Sequence, residues 1–129
     1  MEIKYKNGLI FISIEIIYNQ KNHLIPNCIL DTGSGGTAID IDLIDFDYNK
    51  GGIFKHLTGI GGSESVIEQK IDCLIIDNRK IENIKIEFGD IKNKFGINGF
   101  IGNNILEKFS FKMDYGNEIL ELVSDHIGL

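Results

Sequence analysis

The run Leu9–Tyr18 places Ile10, Ile12, Ile14 and Ile16 at every second position, with Phe11 and Ile17 on the opposite face. A spacing of two belongs to an extended strand, whose successive side chains point to opposite sides. The polar Asn19-Gln20-Lys21-Asn22 reads as a turn, and His23–Leu30 resumes an apolar strand, so the two runs predict a β-hairpin. Pro26 lacks the N–H that a central ladder needs, which predicts an edge or a local bulge there.

The rest of the chain continues in short strands. Thr37–Ile44 is a further candidate, and Asp45–Gly52 is a polar loop. Ile53–Leu57 and Ser65–Ile76 read as arms of a long hairpin with Thr58-Gly59-Ile60-Gly61-Gly62-Ser63 at its tip. Asp77-Asn78-Arg79-Lys80 is a turn into the strand Ile81–Phe88. Asn103–Lys108 is a short helix that Asn103 or Asn104 can cap. Phe109–Met113 and Glu118–Val123 flank the hairpin turn Asp114-Tyr115-Gly116-Asn117.

A length of 129 residues fits one domain spanning 1–129, with no linker or low-complexity stretch. The net charge of −6, with lysines and carboxylates alternating, supplies no basic stripe for displacing counterions, so no nucleic-acid partner is expected. The apolar runs fall short of the ~20 residues of a membrane helix and no signal core follows Met1. The expectation is a cytoplasmic protein without membrane contact.

Cys28 and Cys73 lie in apolar strand-like runs and read as buried free thiols. His23, His56 and His126 are scattered, and two cysteines with three such histidines give no zinc spacing. Asp40, Asp42, Asp45 and Asp47 lack the glycine and terminal glutamate of a calcium loop, so they read as a solvated face. Neither metal nor cofactor is expected.

The chemistry concentrates at Ile29-Leu30-Asp31-Thr32-Gly33-Ser34. A strand that runs into a tight turn can hold a carboxylate where water is restricted. Gly33 permits a turn closed to other residues and leaves its N–H near the carboxylate, while Thr32 and Ser34 bring hydroxyls beside it. One carboxylate is half of a device: metal-free peptide hydrolysis can use two carboxyl groups that share one proton and hold a water between them. This chain has one hydrophobic-hydrophobic-Asp-Thr-Gly run, so a second copy must supply the second carboxylate.

This segment resembles the active-site motif of aspartic peptidases, and its single occurrence in a short chain resembles the retropepsin-like branch. The family's second marker, a hydrophobic-hydrophobic-Gly run before a short helix, is matched by Phe100-Ile101-Gly102 and Asn103-Asn104-Ile105-Leu106. The glycine-rich tip Gly59-Ile60-Gly61-Gly62 is similar to the flap that folds over substrate in that family. The resemblance implies an all-β closed barrel with one short helix near the C-terminal part. It also implies a homodimer with Asp31 catalytic, Thr32 linking the two active-site loops, Gly33 shaping the turn and Ser34 orienting the carboxylate. The partner of such a dimer is a peptide or protein substrate, added to the flap as an extended strand. Ser34 departs from the alanine common in retroviral members and is closer to the pepsin-like form; Asn98-Gly99 and the tail after Leu106 depart from compact viral domains, so the resemblance does not extend to the terminal dimer contacts.

Other readings remain open. A catalytically inactive retropepsin-like dimerisation or peptide-binding module would keep the fold and lose the activity. An actin-like nucleotide fragment needs more chain and a second phosphate loop. Leu74-Ile75-Ile76-Asp77 lacks a following Thr-Gly and reads as a strand ending in a turn; Gly-x-Ser-x-Gly is absent.

Overall fold

A computed structural model describes residues 1–59 and 62–125. The expected hairpin forms: β2 (Leu9–Tyr18) pairs antiparallel with β3 (Lys21–Leu30). Its turn is only Asn19-Gln20, both at positive φ, the backbone that matches strand twist in two-residue hairpin loops. Asn7-Gly8, after β1 (Lys4–Lys6), and Asp77-Asn78, between β7 (Cys73–Ile76) and β8 (Arg79–Glu82), repeat this geometry. Ile12, Ile14 and Ile16 are buried, as their alternation predicts, while Ile10 is half-buried and Tyr18 extends the buried face. Full burial contributes roughly 1.5–3 kcal/mol for each such aliphatic side chain. Pro26 sits at a bulge: the register slips between Ile12 and Ile14, and Asn27 adopts a φ of 55°.

The remaining strands are β4 (Ala38–Asp40), β5 (Ile53–Gly59), β6 (Gly62–Lys70), β9 (Lys85–Gly89), β10 (Gly99–Ile101), β11 (Phe109–Asp114) and β12 (Ile119–Asp125). Ten strands form one mixed sheet in the order β5-β6-β9-β4-β10-β3-β2-β7-β8, with β1 on β2. The pairs β3–β10 and β4–β9 are parallel, and the others are antiparallel. The expected closed barrel is not formed: the path ends at β5 and β8, which do not pair, and β11–β12 form a separate two-stranded sheet. Closure requires the two end strands to share a ladder.

Four further expectations change. Ser65–Ile76 is not one hairpin arm: β6 stops at Lys70, and β7 leaves for the other end of the sheet, where it joins β2. Ile81–Phe88 is likewise divided into β8 and β9, with Asn83 at positive φ between them. Two short helices, α1 (Ile91–Phe95) and α2 (Asn103–Leu106), replace the single one expected, and a 3-10 turn at Ile41–Leu43 shortens the strand predicted over Thr37–Ile44.

Buried Tyr18, Phe46 and Phe88 form one aromatic cluster. Tyr18 Oη–H donates to Gln69 Oε1 at 2.6 Å, and Gln69 Nε2–H donates to the carbonyls of Asp47 and Lys50, fastening the 45–52 loop to the core. Cys28 and Cys73 are buried and unbridged, as expected. Burial pushes the Cys28 thiol up to about 12, which keeps it protonated and unreactive. Among the described residues, no helix is long and apolar enough to cross a membrane.

Candidate functional site

Strand β10 lies between β3 and β4, so the segment joining those strands must pass over β10. That segment contains Asp31–Thr37. Asp31 closes the β3–β10 ladder by donating its N–H to the Ile101 carbonyl at 2.9 Å. Beyond it the chain leaves the sheet and needs other partners for its backbone carbonyls.

Helix α2 supplies them. The first N–H groups of a helix have no partner within it. Here Asn103 N–H donates to the Ser34 carbonyl at 2.8 Å and Asn104 N–H to that of Gly35 at 3.1 Å. Gly102 N–H donates to Thr37 Oγ1 at 3.0 Å, and the Thr37 hydroxyl donates to Asn104 Oδ1 at 2.7 Å. Asn103 Nδ2–H adds a bond to the Thr32 carbonyl at 2.7 Å. The N-cap is Gly102, without a side-chain cap, so Asn103 and Asn104 serve the loop instead of capping the helix.

This docking explains why a glycine follows Phe100-Ile101. A β-carbon on Gly102 would run into the Gly36 carbonyl oxygen and stand 2.7 Å from that of Ser34. The two motifs, far apart in sequence, are the two halves of one contact.

Asp31 is half-buried, and its Oδ1 accepts the Gly33 N–H at 2.9 Å. Gly33 acts through this close approach and not through a special backbone: its φ is outside the left-handed region, where Gly8 and Gly96 lie. Ser34 is used differently from the expectation: its hydroxyl donates to the Gly36 carbonyl at 2.8 Å and tightens the loop. Thr32 is exposed beside the carboxylate.

The hairpin β5–β6 forms, with its ladder running to the Gly59–Gly62 pair. Ile60 and Gly61, expected at its tip, lie outside the described residues, as does His126. The base of the hairpin, β9 and the far end of the Asp31 loop line an open cleft of about 480 Å³, its walls including Gly35, Gly36, Thr37, Lys55, Glu68 and Glu87 but not Asp31 itself. Lys55 Nζ is 2.6 Å from Glu68 Oε2 and 3.7 Å from Glu87 Oε1. Burial raises the Glu87 pKa from its ordinary value, opposed by Lys55 and reinforced by Glu68. The hydrogen bond to Glu68 raises that of Lys55. The shifts differ in kind because Glu87 loses more hydration than its longer ion pair returns.

Sequence reasoning singled out Asp31, Gly33 and Gly102 but passed over Thr37, Lys55, Glu68 and Glu87. A threonine one residue past two glycines carries no recognisable signal until α2 docks on it. The acidic run does not converge: Asp40 is buried and accepts N–H groups from Asp42 and Lys92, Asp45 pairs with Lys21, and Asp47 accepts from Asn49 N–H. His23 is part-buried and accepts from Asp45 N–H at 3.4 Å, and His56 is exposed on β5.

No family model matches the sequence, and no curated protein does. Among solved structures the chain is similar to a retropepsin-like aspartic protease from Rickettsia conorii, with a TM-score of 0.63 and 19% sequence identity over 94% of this chain and 97% of that one. The likeness is one of fold: this chain has the fold of a retropepsin-like aspartic protease.

Proposed function

We propose that the chain is one half of an aspartic endopeptidase, in which Asp31 from each of two copies forms the catalytic dyad. The observation that carries the reading is the presentation of Asp31. It stands at the end of a parallel ladder in a loop clamped by α2, with one carboxylate oxygen held by Gly33 N–H. A retropepsin-like fold around this loop supports the same reading.

In the dyad, the ionised carboxyl takes a proton from a bound water, whose oxygen attacks the scissile carbonyl carbon. The protonated carboxyl donates to the carbonyl oxygen. A proton then passes to the amide nitrogen as the C–N bond breaks. The shared proton belongs to the pair, because two close carboxylates cannot both ionise easily. Thr32 would link the two loops, and the β5–β6 hairpin, with Gly59, Ile60, Gly61 and Gly62 at its tip, would cover an extended peptide. Two unbridged thiols suit a reducing cytoplasmic setting.

The test is Asp31→Asn, which preserves shape and removes the titrating group. Turnover of a peptide library should fall on the order of a thousandfold or more, with thermal unfolding unchanged. Wild-type specific activity should also fall on dilution below the dimer dissociation constant. Retained hydrolysis in the purified variant would refute Asp31 as catalyst. Peptide binding by the wild type without cleavage would mark the inactive binding module.

A further inference from the structure

Glu68 and Glu87 stand directly opposite each other on the antiparallel strands β6 and β9. Like charges in that relation are destabilising, and both side chains are largely withdrawn from water, 14% and 15% exposed. The cation between them comes from a third strand. Lys55 lies on β5, which pairs only with β6 and has no neighbour beyond it among the described strands. Ile53, Phe54 and His56 around it are exposed, so this part of β5 is packed against little else.

The trio reaches the Asp31 loop by two routes. Glu87 N–H donates to the Thr37 carbonyl at 2.9 Å. The Glu87 carboxylate also lies against Gly36, with Oε1 3.2 Å from where a β-carbon would stand. Lys85 and Lys108 line the same cleft, yet neither forms an ion pair among the described residues. Lys55 therefore ties the outer strand of the hairpin, across β6, to the strand that holds the loop.

We propose that Lys55 is a positioning residue. By binding Glu68 and Glu87 together it fixes β5 relative to the Asp31 loop, and so sets the width of the cleft that the hairpin shares with Gly35–Thr37, next to where a peptide would meet Asp31. The role in catalysis rests on the peptidase reading above; the mechanical role does not.

Two measurements on Lys55→Met and Lys55→Arg separate these. Amide hydrogen exchange within residues 53–70 should rise roughly two- to fivefold in Lys55→Met, the range set by losing a partly exposed ion pair. Exchange in β2 and β3 should stay at the wild-type rate, and Lys55→Arg should restore the hairpin. With a cleavable peptide from a random library, Lys55→Met should raise KM by a similar factor and leave kcat within about twofold, again with rescue by arginine. Unchanged exchange in the hairpin, or a rise spread evenly over the sheet, overturns the proposal. An equal fall in kcat with KM unchanged overturns the positioning role. If the wild type cleaves no peptide while the exchange response and its rescue appear, the peptidase reading fails and the clamp stands.

Discussion

The Asp31 loop and the β5–β6 hairpin face the same cleft, but they are held by different kinds of force. The loop is fastened by several directional hydrogen bonds: α2 N–H groups to loop carbonyls, and the buried Thr37, whose hydroxyl accepts from Gly102 N–H and donates to Asn104. The hairpin's outer strand has its ladder to β6 and the Lys55 ion pairs, with Phe54 81% exposed. Several directional bonds acting together on one short loop hold one geometry, whereas ion pairs that share a half-exposed lysine are weaker and tolerate displacement. On the proposed reading, a firmly bonded loop beside a more adjustable wall suits admitting a peptide and then aligning it.

The largest effect that would test this contrast lies on the loop side. Gly102→Ala forces a β-carbon against two backbone carbonyls that cannot swing away as a side chain can. It should cost about 3 kcal/mol in urea unfolding. A variant of wild-type stability would show that loop and helix are not locked together. Thr37→Val is gentler: it keeps the shape but leaves Gly102 N–H and Asn104 Oδ1 without their partner. A loss of about 1–3 kcal/mol is expected, and a neutral result would mean that water replaces the hydroxyl.

The smallest effect belongs to the other wall. Burial raises the Glu87 pKa, so the folded chain binds this proton more readily than the unfolded one. The group's contribution is therefore fully present, and unfavourable, above its folded pKa; it vanishes below the unfolded value. Stability is lost as pH rises through that window. Glu87→Gln removes the titration, so its melting temperature should match or slightly exceed wild type at pH 7. The difference should close as pH falls through the carboxylate range. A variant clearly less stable at pH 7 would mean that the Lys55 attraction outweighs burial, and that ion pairing holds the hairpin firmly.

Much of the fold was legible because it is written locally. The isoleucines of Leu9–Tyr18 alternate in any context, and Asn19-Gln20 suits a tight hairpin. The break between β6 and β7 was not legible, since Ile71 and Cys73 keep a strand-like alternation with Lys70 and Asp72 through it. What ends β6 is distant: Ile71 N–H turns to the Ile84 carbonyl and Asp72 N–H to that of Ile17. Helix α1 is too short for its period to register, and the Asp40 carboxylate that accepts its Lys92 N–H comes from far up the chain.

The same division runs through the candidate site. Asp31-Thr32-Gly33 and Phe100-Ile101-Gly102 were readable as motifs because each requires particular residues in immediate succession. Sequence by itself determined that a carboxylate would end a strand beside a glycine, with a short helix following the second motif. Only the tertiary structure decided that α2 would hold the loop through Thr37 and Asn104, and that Lys55, Glu68 and Glu87 would meet. Those side chains come from separate strands and loops. Their partners are chosen by sheet order and register, which no single stretch of chain encodes, because each strand can satisfy its ladder with many others until burial selects one arrangement.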